Sequence, residues 1–187
     1  LDPVFNGWGE KFLPYDEDAR FAQRMCAHLG LERLDAAPFV LEGGAITVDG
    51  DGTVITSEQC LLNPNRNPTL DRAQIEDELR RRLGVERVVW LPHGLVEDDD
   101  TDGHVDNVAL CIRPGVVLAQ TTADPDDVNH DRLRTNVDVL VEAGYEVLEV
   151  DVLPTVEVDG ESARVPPLNL YLANGAAIVP IVDGTEA

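Results

Sequence analysis

The length, charge and cysteine content of the sequence limit what kind of protein it encodes. Its 187 residues are enough for one domain with a hydrophobic core. The 36 acidic and 14 basic side chains give a net charge of −22, which argues against nucleic acid and anionic membranes and favours a small cationic ligand. The sequence contains no apolar run of about 20 residues, which is the length that a membrane-spanning helix needs. The 3 cysteines lack a Cys-x-x-Cys spacing and no signal peptide precedes them, so we expect reduced thiols in a cytoplasmic protein.

The first predicted unit is a strand hairpin followed by a helix and a third strand. Residues 44–49 and 53–56 read as two strands around the turn 50–52. Apolar residues on one face predict a helix over residues 71–83, which Gly84 ends. A strand over residues 85–91 completes the unit.

The same order of elements recurs further along the chain. Strands are predicted over residues 108–112 and 116–120, a helix over 127–143 and a strand over 145–150. The turn glycines of the two hairpins, Gly52 and Gly115, lie about 60 residues apart, which is typical of a structural repeat. We therefore predict an α/β fold with repeats near residues 39–91 and 104–151. A half repeat over 168–183 holds a third hairpin around Asn174-Gly175.

The densest group of chemically active side chains lies in the acidic segment 97–107. His104 and Asp106 are two residues apart, directly before an apolar strand, so an extended chain would point both into one pocket. A calcium loop is the competing interpretation, because Asp98, Asp100, Asp102 and Gly103 match its opening pattern. The twelfth position of that loop should be a glutamate but is an alanine, and the flanking elements are predicted strands.

A second candidate is Glu42, which follows an apolar stretch and precedes Gly43 and Gly44. It lies ten residues before the turn glycine of its repeat, and Asp106 lies nine before the turn glycine of the next. Repeat symmetry would therefore bring the two carboxylates together, with the glycines allowing close backbone approach. The alternative is an edge-strand carboxylate beside a β-bulge.

Four motifs in this order resemble the agmatine deiminase family, which is close to the bacterial peptidylarginine deiminases of the guanidino-group-modifying superfamily. The motifs are Phe5-Asn6-Gly7-Trp8-Gly9, Leu41-Glu42-Gly43-Gly44, the segment from Leu61 to Pro68, and the segment from Thr101 to Asn107. The resemblance covers nearly the whole chain. It implies the pentein fold, a five-bladed pseudo-symmetric α/β propeller whose unit is the predicted strand–strand–helix–strand repeat.

The resemblance also implies a mechanism and roles for the candidate residues. A cysteine thiolate attacks the guanidinium carbon, ammonia leaves, and water hydrolyses the S-linked amidino intermediate. By resemblance, His104 is the general acid and base, Asp106 binds the guanidinium, and Glu42 pairs with His104 and the substrate. Further candidates for substrate binding are Asp100, Asp102 and Trp8, although Trp8 also suits a packing role. No metal or organic cofactor is implied, and the oligomeric state stays open, a homo-oligomer included.

The nucleophile is the part of the mechanism that these residues do not supply. The resemblance places the nucleophilic cysteine in a glycine-rich segment outside this sequence, so we expect the chain to be a little over half of the family's ring. Cys26, Cys60 and Cys111 are interpreted as packing residues.

The sequence thus predicts part of a hydrolase that deiminates a guanidinium compound. The favoured substrate is agmatine, giving N-carbamoylputrescine and ammonia in putrescine and polyamine metabolism. One alternative is deimination of peptidyl or free arginine. An alternative from another class is a non-catalytic module that captures a polycation or Ca²⁺.

Overall fold

A computed structural model describes residues 1–158 and 161–180 of the chain. The strands are β1 to β12, and the helices are α1 to α5. In chain order, the elements are β1 (Asp2–Val4), α1 (Gly7–Glu10), α2 (Phe21–Leu29), β2 (Asp35–Val40), β3 (Ile46–Val48), β4 (Thr53–Ser57), α3 (Glu58–Leu61), α4 (Arg72–Leu83), β5 (Arg87–Leu91), β6 (Ala109–Arg113), β7 (Val116–Thr121), α5 (His130–Glu142), β8 (Glu146–Asp151), β9 (Val156–Val158), β10 (Glu161–Ala163), β11 (Tyr171–Ala173) and β12 (Ala176–Ile178).

The first three-stranded sheet has the order β3-β4-β5. β3 and β4 are antiparallel, and β5 returns parallel to β4 after the α4 crossover. Helix α4 begins with a capping box, in which Asp71 accepts from the Gln74 backbone and the Gln74 side chain accepts from the Asp71 backbone. Its inward side chains Ile75 and Leu79 pack with Val54 of β4 in a buried cluster.

The second three-stranded sheet, β6-β7-β8, repeats this plan. β6 and β7 form an antiparallel hairpin, and β8 runs parallel to β7. Helix α5 buries Leu133, Val137 and Leu140 in a cluster that also contains Ile55 of β4 and Leu91 of β5. One buried cluster therefore includes side chains from both sheets and joins them.

The remaining strands form three smaller ladders. β1 pairs in parallel with β2, β9 pairs antiparallel with β10, and β11 pairs antiparallel with β12. The β1–β2 ladder places the chain that leads into Glu42 beside the N-terminal segment. None of the helices described is long and apolar enough to cross a membrane.

The predicted helices and strands of both units are confirmed, with shifts of a few residues at their ends. The largest shift is in α5, which begins at His130 and not at residue 127, because residues 124–129 form turns whose amides bond to Thr122, Asp124 and Asp127. The third hairpin is present as β11 and β12. The last residues of the predicted half repeat, 181–183, lie outside the described part of the chain.

Candidate active site

Glu42 lies where the chain leaves β2 and enters a one-turn 3₁₀ helix, Gly43–Ala45. Its own backbone is still extended, with φ −102° and ψ 151°, and it lies two residues past the last residue of β2. The residue is only 6% exposed. A carboxylate this buried requires partners.

His104 and Asp106 lie close together, but not for the reason that the sequence suggests. The strand alternation argument is wrong, because β6 begins only at Ala109 and residues 105–107 form a 3₁₀ turn that follows His104. The turn brings both side chains against the same glycine of the preceding repeat. A Cβ built on Gly44 would lie 2.4 Å from His104 Nδ1 and 2.7 Å from Asp106 Oδ2.

This crowding gives a mutational prediction at Gly44. In Gly44→Ala the methyl group has to displace the His104 ring and the Asp106 carboxylate, so we expect a loss of stability of about 1–3 kcal/mol. The matched control is Gly43→Ala, since a Cβ at Gly43 meets no atom within 4 Å. Urea unfolding of both variants checks this. Equal stability of the two would contradict the packing described.

His104 and Glu42 face each other in the buried centre of this group. His104 Nε2 lies 3.7 Å from Glu42 Oε2, and the two side chains are 8% and 4% exposed. Among the residues described, neither His104 Nε2 nor Asp106 Oδ1 has a hydrogen-bond partner. Buried polar atoms without partners are uncommon in folded proteins, so the pair at His104 and Asp106 is consistent with a site that binds a ligand.

The environment of Asp106 raises the pKa of its carboxyl group. Burial is the main cause, His104 opposes it, and the negative charge of Asp98 adds to it. A bound cation would compensate this cost, because an opposite charge beside a carboxylate favours its ionised form. Asp106 is therefore suited to hold a cationic group.

Arg66 is the residue that sequence reasoning missed. Its guanidinium is fully buried; Nε donates to Glu42 Oε1 over 2.7 Å and Nη1 donates to Asp102 Oδ2 over 2.8 Å. Nη2 donates to the Thr101 carbonyl over 2.9 Å. Arg66 thus ties the end of β2 to the acidic loop that carries His104. One signal in the sequence could have indicated Arg66, because it lies in the motif from Leu61 to Pro68. That motif was used only for the family resemblance, and none of its residues was assigned a role.

Asp102, a further candidate for substrate binding, is held by side chains of the chain itself. Its carboxylate accepts hydrogen bonds from Arg66, Lys11 and Asn65. Burial alone would raise the pKa of Asp102, yet the hydrogen bonds from these three residues outweigh it and hold the pKa below its ordinary value. Its position is that of a structural partner of Arg66.

The other two candidates for substrate binding are Asp100 and Trp8. Asp100 is exposed on the acidic loop. Trp8 is half-buried, has a left-handed backbone with φ 53°, and packs edge-to-face on Phe5 and Phe12 with ring centroids 4.9 and 5.5 Å apart. The substrate contacts of Asp100 and Trp8 stay predictions.

Two of the carboxylates that suggested a calcium loop have partners within the chain. Asp98 accepts from the backbone amides of Thr101 and His104 and from the side chain of Asn107, so it fixes the loop. Asp102 is neutralised by Arg66 and Lys11. Within residues 1–158 and 161–180, the one group of three side chains placed to share a metal is Glu42, Cys60 and His104.

The cysteines described here do not resemble activated nucleophiles. Cys60 is fully buried, and burial together with the nearby Glu42 carboxylate raises the pKa of its thiol to about 12. Burial likewise raises the pKa of Cys111 to about 11. A catalytic cysteine needs a lowered pKa, so neither Cys60 nor Cys111 fits that role.

Comparison with known proteins identifies the family. The sequence model of the Porphyromonas-type peptidyl-arginine deiminases matches residues 1–187. The chain belongs to this family. It is 39% identical to the agmatine deiminase of Medicago truncatula, covering 96% of this chain and 55% of that protein. It is 49% identical to the agmatine deiminase of Pseudomonas putida F1 over 75% of this chain and 39% of that protein.

Solved structures of agmatine deiminases show the same arrangement of the chain. The C. jejuni enzyme, determined with substrate bound, matches with a TM-score of 0.92 at 30% identity, covering 99% of this chain and 55% of that one. The Enterococcus faecalis enzyme matches with a TM-score of 0.80 at 32% identity, over 98% and 49% of the two chains. The chain spans about half the length of the relatives that it matches.

Proposed function

We propose that this member of the peptidyl-arginine deiminase family takes part in the hydrolysis of agmatine to N-carbamoylputrescine and ammonia. The observation that supports it most is that His104 and Asp106 lie beside Gly44 while Glu42 Oε2 lies 3.7 Å from His104 Nε2. Among the residues described, two buried polar atoms of this group, His104 Nε2 and Asp106 Oδ1, have no partner. Agmatine deiminases among the relatives support the choice of substrate.

The carboxylates suit a guanidinium because that group is a planar fork of donors, which carboxylates bind in bidentate fashion. Asp106 offers a buried carboxylate oxygen that has no partner in the part of the chain that the structure describes. Glu42 has one oxygen fixed by Arg66, which leaves Oε2 facing His104. In this proposal the substrate guanidinium lies between Asp106 and Glu42.

His104 is the proposed acid and base. When a cysteine thiolate has added to the guanidinium carbon, the C–N bond breaks and His104 gives its proton to the departing ammonia. The neutral imidazole then takes a proton from water, whose oxygen attacks the S-linked amidino carbon. Release of the thiolate regenerates the nucleophile. We assign the nucleophile to none of the three cysteines in this sequence.

The architecture and location of the intact protein belong to the same proposal. We infer that the two sheets with their helices are two of the five units of a pentein propeller, and that the site lies where the units meet. The chemistry requires a reduced thiolate, which suits a cytoplasmic protein in putrescine and polyamine metabolism.

Agmatine is favoured over peptidyl or free arginine because it lacks the α-carboxylate. Among the residues described, Arg66 and Lys11 are basic side chains beside the site, and both contact Asp102. Neither is therefore free to bind a substrate carboxylate. A carboxylate brought to a chain with a net charge of −22 is also disfavoured.

Rates of ammonia release by the intact protein test this proposal. We expect kcat/KM for agmatine to exceed that for free arginine and for an arginine peptide by about 100-fold, because an unpaired carboxylate in the site is costly. Asp106→Asn should lower turnover of all three substrates. Faster turnover of the arginine peptide would overturn the choice of agmatine, and no ammonia from any of them would overturn deimination.

A further inference from the structure

Three potential metal ligands meet at the buried centre of the site. They are Glu42 Oε2, Cys60 Sγ and His104 Nε2, and all three atoms lie within 4.8 Å of one another. Each comes from a different element: the end of β2, helix α3 and the residue before the 3₁₀ turn of 105–107. Sequence spacing therefore gives no sign of the group.

The distances are near those of tetrahedral coordination. Zn²⁺ binds nitrogen, oxygen and sulfur at about 2.0–2.3 Å, so its tetrahedral ligands lie about 3.3–3.8 Å from one another. Glu42 Oε2 lies 3.7 Å from His104 Nε2 and 4.0 Å from Cys60 Sγ. A shift of the Cys60 and His104 side chains by less than about 1 Å closes the set.

A second observation points to a ligand at this position. His104 Nε2 is buried, has no hydrogen-bond partner among the residues described, and belongs to a side chain that is 8% exposed. Glu42 Oε2 lies 3.7 Å from this nitrogen. A cation placed between them would satisfy the imidazole nitrogen and one carboxylate oxygen at once.

The surroundings of the group also support a cation. Arg66 Nε holds the other oxygen of Glu42 at 2.7 Å, as outer hydrogen bonds fix ligating carboxylates in metal proteins. One sulfur, one nitrogen and one oxygen suit a soft or borderline ion, whereas Ca²⁺ and Mg²⁺ require a shell of oxygens.

We propose that Glu42, Cys60 and His104 bind a single thiophilic divalent cation of the Zn²⁺ class. Binding converts the Cys60 thiol to a metal thiolate and releases one proton to solvent, while Glu42 and neutral His104 bind without loss of a proton. The fourth position is left to water or to a ligand.

One consequence rests on the proposed function. A bound Zn²⁺ occupies Glu42 and His104, so it should inhibit deimination reversibly until a chelator removes it. Metal binding itself does not depend on the reaction. The binding test and the deiminase test can therefore fail separately.

Cobalt substitution in the intact, reduced protein tests the site. We expect one equivalent of Co²⁺ to give a thiolate-to-cobalt charge-transfer band with the intense visible bands of tetrahedral cobalt, and Zn²⁺ to abolish both. The charge-transfer band should be lost in Cys60→Ser and kept in the control Cys26→Ser, whose sulfur lies on α2. A band that survives in Cys60→Ser, or no band in the unmodified protein, overturns the proposal.

X-ray absorption of the zinc-loaded, unmodified protein makes the test independent of whether Cys60→Ser folds. The expected shell contains one sulfur and two or three nitrogen or oxygen atoms. A shell without sulfur would contradict the site.

Discussion

Arg66→Met is expected to destabilise the protein by about 3–5 kcal/mol, because it leaves the buried Glu42 carboxylate without its cation. The guanidinium is fully buried and bonds to both Glu42 and Asp102, so methionine replaces its volume but none of its charge. The matched control is Arg81→Met on α4. That arginine is exposed and pairs with Glu78 one turn away, and its loss should cost less than about 1 kcal/mol. Urea unfolding measures both changes.

A double variant shows whether the loss comes from the stranded carboxylate. Adding Glu42→Gln to Arg66→Met removes the uncompensated charge, so the two substitutions should cost less together than the sum of their separate effects. Strict additivity, or an Arg66→Met variant no less stable than Arg81→Met, would show that Arg66 does not hold Glu42 in the way described.

His104→Asn is expected to lower kcat for agmatine by about 10²–10⁴-fold, because asparagine fills much of the same space but cannot exchange a proton. The control is His93→Asn, which changes a half-buried histidine whose backbone, and not its side chain, bonds to Asn136. Steady-state ammonia release by the intact protein provides the rates, and circular dichroism checks that both variants are folded.

The two histidine variants separate the proposed role from a general effect on folding. Only the His104 variant should lose turnover while keeping the spectrum of the unmodified protein. Turnover by His104→Asn above a tenth of the original rate would remove His104 from the chemistry. An equal loss in His93→Asn would point to a structural cause.

The elements of both units could be predicted because each follows from local pattern. Helix α4 has an apolar face, a capping residue at Asp71 and a glycine at residue 84 in the left-handed region, with φ 71°. The hairpins have glycines at their turns. Such signals lie within a few residues of one another, so they can be recognised in the sequence without knowledge of the tertiary structure.

The site was only partly predictable because it depends on contacts between distant segments. The near-equivalent positions of Glu42 and Asp106 predicted that they lie close together, and the structure connects each of them to His104. Glu42 Oε2 lies 3.7 Å from His104 Nε2, and Asp106 lies with His104 beside Gly44. The position of Arg66 could not be read in the same way, because an arginine is ordinarily exposed and only the folded chain shows that it lies between two carboxylates. The 3₁₀ turn after His104 likewise left no periodic signal.

The placement of the substrate is the central claim, and a crystal structure of the intact His104→Asn protein with agmatine tests it most directly. The account predicts the guanidinium within hydrogen-bond distance of Asp106 and Glu42, beside Gly44, with Arg66 still bonded to Glu42 Oε1. Agmatine bound elsewhere, for example in the surface groove lined by Glu58, His93 and Arg132, with Asp106 unoccupied, would contradict it.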